Sequence, residues 1–417
     1  MSGFGIKTIE RSDLQNDLSA QEPFLNKLRY QNDLIKSLKS QLEQSKRESE
    51  TKDAVNAQLK ADMANQKHRI EKMVERYKIQ FMEMESAIRK LNETVVDLKG
   101  QIRVAVKVRH FEKETLSGAS FTFTGENEIK FEQNGQANLF RFEHIFQQSQ
   151  KQSEVFDEIK ELILCALHGR NVCLIAYGPT GSGKTFTMRG GDGETEGIIP
   201  RAIRFLLKHS KEQDYSFSAS FIEVYNEEVF DLLDARRKLD VKISGATTSV
   251  PGLHKIPIKA LPDVDALLTL ADNQRSTGTT ACNQESSRSH AIFQLYCCLN
   301  LVDLAGSERA KESRAHGKQF TELTNINQSL TVLKKCIRAQ FEKMAHVPYR
   351  ESKLTVLLRE YLGAGSSKTT FIAHVNPRDV AETRRTLEFT ADLRSTSIGR
   401  ATIQTGPRNE CSTSARN

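Results

Sequence analysis

The sequence predicts an α/β domain preceded by a long α-helical coiled coil. Residues 24–99 contain neither glycine nor proline, and they repeat apolar residues every seven positions. After Gly100, short strand-like runs alternate with helix-like runs, a pattern typical of a sheet covered by helices on both faces. A glycine-rich segment at 178–185 indicates that this domain binds phosphate.

The composition narrows the class of protein. Charged residues make up 27% and hydrophobic residues 38% of the 417 positions, which suits one globular core joined to a long polar element. The net charge of +7 makes an acidic polymer a candidate partner, although simple solvation explains such an excess equally well. The seven cysteines lack metal-ligand spacing, so we expect free thiols in a reducing compartment. We predict a cytoplasmic or nuclear protein with no membrane span and no nucleic-acid partner.

A heptad repeat predicts the first element. Counting sevens from Leu28 gives nine apolar residues in eleven positions, which favours a coiled coil. The companion seam is weaker, and both seams are polar between Ser45 and Asn56, where the coil should loosen. We therefore predict a disordered segment at 1–23 and a coiled-coil stalk and neck at 24–99, which forms a homodimer or a heterodimer. A single solvated helix is the alternative.

Residues 100–400 form the predicted α/β domain. Its first segment, QIRVAVKVRHF, alternates apolar and charged residues as a strand does. NVCLIAYG, FSASFIEVY and TTFIAHV predict further strands, and SEVFDEIKELILCALHG predicts a helix. The polar tail 401–417 is predicted to be disordered.

The segment GPTGSGKT fits the phosphate-loop pattern, because an apolar strand precedes it and a helix is expected to follow. The glycines let the backbone approach phosphate, and the loop amides point inward at a helix N-terminus. Lys184 is expected at the β- and γ-phosphates, and the Thr185 hydroxyl at Mg²⁺. The predicted nucleotide contacts of this loop are Gly178, Pro179, Thr180, Gly181, Ser182, Gly183, Lys184 and Thr185.

The stretch SHAIFQLYCCLNLVDLAGSE, residues 289–308, is too long and apolar for one strand. It ends on Asp303, an acidic residue of the kind that phosphate-loop enzymes place beside Mg²⁺. The stretch is therefore either one long strand or two strands whose connection is missing, since nothing inside it looks like a turn. The later segment NPRD does not predict guanine recognition, because Pro377 stands where lysine is needed.

In this order, the motifs resemble the motor domain of a kinesin from about Lys99 to Gly399. The resemblance rests on FRFEHIF, NVCLIAYGPTGSGKTFTM, FIEVYNEEVFDLL, NQESSRSH, LNLVDLAGSER, NINQSL and HVPYRESKLTVLL. The junction RKLNETVVDLKGQIRV resembles the neck of the C-terminal-motor kinesins, in which the coil precedes the motor. The resemblance implies a central, mostly mixed β-sheet with helices on both faces. It also implies an ATP-hydrolysing motor that moves toward the minus end of spindle microtubules, with the neck coil swinging as a lever.

The resemblance assigns roles in two switch segments, switch I from Asn283 to His290 and switch II from Asp303 to Glu308. It places Asn283 and Ser286 at the γ-phosphate and the attacking water, Ser287 at Mg²⁺, Asp303 at Mg²⁺ through water, and the Gly306 amide at the γ-phosphate. Arg288 and Glu308 would form a latch that is made only in the closed state. An ordinary surface ion pair is the alternative for these two residues.

On the base side, the resemblance implies nucleotide contacts by Arg109 and Phe186. The motif KVRH keeps Arg109, but Lys107 and His110 stand where the family usually has Arg and Pro. We therefore expect weaker stacking on the adenine.

NINQSL and HVPYRESKLT resemble the helix and loop that face tubulin in the family. Arg350 and Lys353 are the strongest candidates for contact with its acidic surface. Gln328 stands where the family usually has lysine, which removes one expected charge contact. The other candidates for microtubule binding are Asn327, Lys334, Lys335, Lys343 and Tyr349.

The resemblance implies two strands in 289–308, which the family joins by a polar hairpin loop that this sequence lacks. We predict a shortened hairpin at Cys297–Cys298 that keeps the fold, although a two-residue connection normally demands Asn-Gly or other glycine-containing chemistry; a missing segment is the alternative.

A second class of function stays open, a coiled-coil microtubule crosslinker that binds nucleotide but hydrolyses it weakly. The shortened hairpin and the KVRH motif favour the crosslinker. The phosphate-loop and switch residues favour the motor.

Overall fold

The computed structural model of the chain divides into two compact units, Met1–Ile88 and Arg89–Asn417. It describes residues 11–98, 100, 102–110, 119–125, 127–133, 135–210, 215–245, 247–277, 287–308, 318–362 and 367–395. Within this described part, no helix combines the length and the apolarity needed to cross a bilayer. The predicted tail 401–417 lies outside the described residues.

Helix α1 runs over Arg11–Leu98. It continues through Pro23, so it includes residues 11–23 of the segment predicted to be disordered; residues 1–10 lie outside the described part of the chain. A proline within a helix removes a backbone hydrogen bond and crowds the preceding turn, whereas Leu, Gln, Ala and Glu around Pro23 favour the helix. The second compact unit begins at Arg89, before the boundary predicted at residue 99, and it buries Val96 in its core.

The apolar seam of α1 is exposed within the first unit. Large side chains of the heptad register remain accessible, from 42% for Leu28 to 70% for Met63. A helix that needed only water around it would not repeat large apolar side chains at this spacing. The long helix is therefore consistent with the predicted coiled coil.

A mixed sheet forms the centre of the second unit. Its strand order is β5-β1-β15-β6-β14-β13-β7-β8-β9, and β12 pairs with β7. The strands from β5 to β14 in this order are parallel, whereas the pairs from β14 to β9 are antiparallel. Two small sheets, β2-β3-β4 and β10-β11, complete the strands. The strands are β1 (Ile102–Val108), β2 (Ala119–Phe123), β3 (Glu128–Gln133), β4 (Gln136–Arg141), β5 (His144–Phe146), β6 (Val172–Tyr177), β7 (Phe217–Tyr225), β8 (Glu228–Asp231), β9 (Arg237–Leu239), β10 (Lys242–Ser244), β11 (Thr247–Ser249), β12 (Ile256–Ile258), β13 (His290–Leu295), β14 (Leu299–Asp303) and β15 (Lys368–Val375).

Helices cover both faces of this sheet. Along β6, alternate side chains enter two different hydrophobic cores, Leu174 on one face and Ile175 on the other. Helices α2, α4 and α5 pack on the Leu174 face, and α6, α7 and α8 pack on the Ile175 face. The predicted α/β class is confirmed. The helices after α1 are α2 (Gln152–Leu167), α3 (Lys184–Met188), α4 (Ile198–His209), α5 (Leu261–Thr277), α6 (Lys318–Phe341), α7 (Lys353–Leu357) and α8 (Val380–Ser395).

The stretch 289–308 contains two strands, as the sequence predicts. Strands β13 and β14 pair antiparallel, with Leu295 opposite Leu299. The connection has three residues rather than two, because Tyr296 leaves the β13–β14 ladder and donates its N–H to Ser218 O of β7. Cys298, the third loop residue, adopts φ of 70°. A left-handed third residue is the arrangement that three-residue hairpin loops favour, so the short connection closes without disturbing either strand.

Replacing Cys298 by glycine should stabilise the chain by about 0.5–1 kcal/mol, because a Cβ is costly at positive φ and glycine is not. Chemical denaturation of wild type and variant measures the change. Cys298→Ala is the matched control, since it removes the thiol but keeps the Cβ. An equal gain in both variants would refute the backbone explanation.

Candidate functional site

The phosphate loop connects β6 to α3 at the carboxyl edge of the parallel strands. Gly178, Gly181 and Gly183 have φ of 146°, 73° and 101°, which side chains with a Cβ rarely adopt. A Cβ on Gly178 would lie 2.3 Å from the carbonyl oxygen of His374 on β15. The glycines of the motif are therefore required by the backbone path of the loop.

Lys184 is buried inside this loop. Its Nζ donates to the carbonyl oxygens of Gly178 and Pro179, each at 2.9 Å. Burial lowers the pKa of Lys184, and the nearby carboxylates of Asp303 and Glu308 oppose that shift. The loop thus holds a cation where the motif predicts contact with phosphate.

Thr185 and Asp303 meet beside the loop. The Thr185 hydroxyl donates to Asp303 Oδ2 at 2.6 Å. Asp303 Oδ1 is buried and, among the described residues, has no hydrogen-bond partner. Burial raises the pKa of Asp303, whereas Lys184, Arg275 and the Thr185 hydrogen bond lower it. A buried carboxylate oxygen without a donor, next to a hydroxyl, fits a Mg²⁺ site.

A cavity of about 840 Å³ opens from the phosphate loop toward β1. Phe186 remains 50% exposed, and Lys107 Nζ lies 5.8 Å from the centre of its ring. Lys107 Nζ also donates to Gln152 Oε1 at 2.7 Å and to Thr187 Oγ1 at 3.0 Å, and burial lowers its pKa to about 8. The predicted nucleotide residues that line the cavity are Arg109, Thr180, Gly181, Ser182, Gly183, Lys184, Thr185 and Phe186, together with the predicted metal residue Ser287.

The segment after β14 folds back against the phosphate loop. The Glu308 carboxylate accepts from the Thr180 N–H at 2.9 Å and from the Thr180 hydroxyl. The Gly306 N–H donates to Ser287 O at 2.8 Å. The structure therefore brings together three predicted parts of the site: the phosphate loop and the two switch segments. The Gly306 amide, which is predicted to sense the γ-phosphate, is bonded to Ser287 in this structure.

Both members of the predicted latch have other partners. Arg288 Nη1 lies 2.8 Å from Glu322 Oε2 on α6, and Glu308 is bonded to Thr180. The Tyr225 hydroxyl donates to the second Glu322 oxygen at 2.5 Å. Arg288 and Glu308 could pair only if both gave up their present partners. This agrees with a latch that forms only in the closed state of the site. Asn283 and Ser286 lie outside the described residues.

His290 links three elements of the site. Its Nδ1 accepts from the Ala305 N–H at 3.0 Å, so the ring proton is on Nε2, which donates to Ser329 Oγ of α6 at 2.8 Å. Burial lowers the pKa of His290 to about 3, so the ring is neutral at physiological pH. His290 is the last residue of the hydroxyl-rich motif NQESSRSH, but the sequence contains no signal for its partners, Ala305 after β14 and Ser329 on α6.

The family model described as kinesin motor domain matches residues 99–396. The chain belongs to the kinesin family. The chain is 34% identical to the kinesin-like protein KIN-14N of Oryza sativa subsp. japonica over 95% of this chain and 57% of that protein. The chain spans between about a third and just over half of the length of the first curated kinesins that it matches.

Two solved kinesin structures resemble the fold. One, of a fast kinesin, covers 74% of this chain and 96% of its own, with a TM-score of 0.66 and 32% identity. The other is the motor domain of the Kar3-like kinesin from Ashbya gossypii, which covers 71% of this chain and all of its own, with a TM-score of 0.60 and 32% identity. Together with the KIN-14 relatives, these likenesses confirm the predicted family, the C-terminal-motor kinesins.

The residues that the kinesin resemblance assigns to tubulin lie on α6, on α7 and on the connection between them. Arg350, Lys353 and Lys343 are exposed. Lys334 and Lys335 form ion pairs with Asp392 at 2.8 Å and Glu351 at 3.3 Å, which leaves less of their charge for a partner.

Tyr349 and Asn327 are less suited to direct contact. Tyr349 is only 7% exposed and its hydroxyl accepts from Gln340, so its ring offers little surface to a partner. Its contact with the microtubule stays a prediction. Asn327 is half-buried and donates to Leu323 O at 2.8 Å.

Proposed function

We propose that this kinesin is an ATP-hydrolysing microtubule motor that moves toward the minus end. The observation that carries the proposal is the convergence of Thr185, Asp303 and Glu308 on one phosphate loop beside a cavity of about 840 Å³. The fast kinesin, whose fold is similar, has a structure with implications for its ATPase mechanism and for its interactions with microtubules. We assign the protein to the cytoplasmic cytoskeleton, with spindle microtubules as its track.

The residues at the site support ATP hydrolysis by positioning and by charge. Lys184 and the loop amides would hold the phosphates, and the predicted switch residues, Asn283 and Ser286 among them, would orient the attacking water. Thr185, Ser287 and Asp303 would hold Mg²⁺, which supplies a positive charge that offsets the charge of the phosphates. No side chain needs to form a covalent intermediate, because phosphoryl transfer relies on alignment and charge stabilisation.

The link from the nucleotide site to the proposed filament surface runs through α6. Arg288 and Tyr225 both contact Glu322, and His290 contacts Ser329, so two switch residues reach this helix. A shift of α6 on a microtubule would therefore change the partners of Arg288. This coupling supports a motor whose turnover depends on the filament.

The direction of motion is proposed from the order of the elements. Helix α1 precedes the motor domain and ends against it, as in the C-terminal-motor class. The exposed apolar seam of α1 supports a dimer through the coil, with a second copy or with a different subunit.

A gliding assay with the full chain on polarity-marked microtubules tests the proposal. We expect ATP-dependent gliding with the plus ends leading, together with ATP turnover that rises when microtubules are added. Gliding in the opposite direction would refute the assigned polarity. Microtubule binding without stimulated turnover would favour the crosslinker.

The crosslinker has one structural observation in its favour. Lys107, where the family usually has arginine, is bonded to Gln152 and Thr187, and its pKa is lowered to about 8. The Lys107 ammonium therefore loses part of its positive charge in mildly alkaline solution. The loss would weaken nucleotide binding on the side of the cavity where the base is expected. The intact phosphate loop and switch II segment still favour the motor.

A further inference from the structure

The turn between β7 and β8 has an unusual backbone for its sequence. Tyr225 pairs with Glu228, so the loop contains only Asn226 and Glu227. Both are left-handed, with φ of 52° and 59°. Turns of this kind favour Asn followed by glycine, because the second position penalises a Cβ. A glutamate at this position indicates that its side chain makes a compensating contact.

The Glu227 carboxylate makes that contact at the start of α7. One oxygen accepts from the Ser352 hydroxyl at 2.8 Å, and the other accepts from the Lys353 N–H at 2.6 Å. Ser352 Oγ in turn accepts from the Leu354 N–H at 3.3 Å, as an N-cap residue does. Glu227 therefore fixes the backbone from which the exposed Lys353 side chain projects, two residues after the exposed Glu351 and three after Arg350.

The same turn is anchored on its other side. The Tyr225 hydroxyl bonds Glu322, and Asn325 donates its side-chain N–H to Asn226, so the turn also touches α6. Arg236 lies 5.5 Å from the centre of the Tyr225 ring and pairs with the buried Glu223 at 2.8 Å. A turn with these contacts is a firm support for the start of α7.

We propose that Glu227 is a positioning residue for filament binding, which holds Lys353 and Arg350 in the arrangement that binds an acidic filament surface. The inference rests on the proposed function, because it takes the microtubule as the acidic partner. Charge-assisted hydrogen bonds from the carboxylate are stronger than neutral ones, which explains why glutamate is kept where glycine would suit the backbone. The carboxylate is also occupied within the protein, which limits its repulsion of an acidic partner.

Glu227→Gly in the full chain separates an effect on positioning from an effect on folding. Glycine suits the left-handed backbone at this position, and it removes the carboxylate that contacts Ser352 and Lys353. We expect the microtubule concentration for half-maximal ATP turnover to rise five- to tenfold. Basal turnover and the melting temperature should not fall. Hydrogen exchange at the Lys353 and Leu354 amides should become at least tenfold faster.

Two further variants complete the test. Ala235→Gly, at φ of 46°, gives similar backbone relief elsewhere and should leave microtubule affinity and exchange at α7 unchanged. Ser352→Ala should weaken microtubule binding in the same direction as Glu227→Gly, and the double variant should add little.

Normal exchange or normal microtubule affinity in Glu227→Gly would overturn the inference. So would a parallel loss of basal turnover, which would indicate a general structural role. If wild type turns over ATP but does not bind microtubules, the proposed function and the inference both fail. If wild type binds microtubules and Glu227→Gly binds them equally well, the inference alone fails.

Discussion

Glu308→Ala is expected to lower microtubule-stimulated ATP turnover by roughly 10²–10³-fold, which is the usual effect of removing one preorganised charged group from an active site. Nucleotide binding should be retained. Glu308 is the carboxylate that joins switch II to the phosphate loop, through the N–H and the hydroxyl of Thr180. Without it, Thr180 loses this partner and the proposed latch with Arg288 cannot form. The backbone hydrogen bond from the Ser307 N–H to Gly178 O, at 3.2 Å, still holds the segment near the loop. Lys184, Thr185 and Asp303 remain, so the phosphates should still bind.

Steady-state turnover with saturating microtubules measures the loss, and a fluorescent nucleotide analogue measures binding. Glu388→Ala is the control, because Glu388 is exposed and, among the residues that the structure describes, pairs with Arg384 within α8 and with no other side chain. Its removal should change neither quantity. Turnover near the wild-type rate in Glu308→Ala would show that Glu308 does not act in hydrolysis.

The parts of the site that the sequence predicts correctly are those that depend on short spacing. Eight consecutive residues define the phosphate loop, and the strand before it and the helix after it follow from local pattern. Asp303 could be placed because it ends an apolar strand, and strands that are parallel neighbours end at the same edge of a sheet. Two strands in 289–308 were predictable because no ordinary strand is that long.

The contacts that the sequence cannot predict join residues far apart in the chain. Arg288 pairs with Glu322, 34 residues away, and Glu227 contacts Lys353, 126 residues away. No local sequence pattern indicates either contact, because each depends on how α6 and α7 pack against the sheet. Tyr349 illustrates the same limit: its motif marks the segment, but only tertiary packing determines that the ring is buried.

The end of α1 is held by charges that the sequence does not single out. Asp97 forms a bidentate pair with Arg170 at 2.8 and 3.1 Å and lies 3.1 Å from Lys368 Nζ. Lys368 also donates to the carbonyl oxygens of Val96 and Gly100, each at 3.1 Å, where the negative end of the helix dipole favours a cation. Arg170 and Lys368 are only 4% and 1% exposed. Asp97 pairs with both of these buried cations, and Glu93 lies farther from Arg170, at 4.0 Å.

Asp97→Ala should therefore release the end of α1 from the motor domain. Removing one partner from a buried pair leaves uncompensated charge, at a cost of about 3 kcal/mol or more. Burial already lowers the pKa of Lys368 and Asp97 opposes that shift, so the variant should lower this pKa further. We expect gliding velocity to fall at least tenfold, because the neck coil, which we propose as the lever, transmits little motion when it is not attached. Microtubule-stimulated ATP turnover should stay within twofold of wild type, since Thr185, Asp303 and Glu308 are unaffected.

Gliding and turnover measured on the same preparation separate the two effects. Glu85→Ala is the matched control, because it removes a carboxylate from the exposed part of the same helix and should leave both rates unchanged. Asp97→Asn should lie between wild type and Asp97→Ala, because the amide oxygen can still accept one hydrogen bond from Arg170 but carries no charge. Gliding at the wild-type velocity in Asp97→Ala would mean that the lever acts through other contacts. A matching loss of turnover would mean that Arg170 and Lys368 support the catalytic fold itself, and that the charges around Asp97 are structural and do not serve to attach a lever.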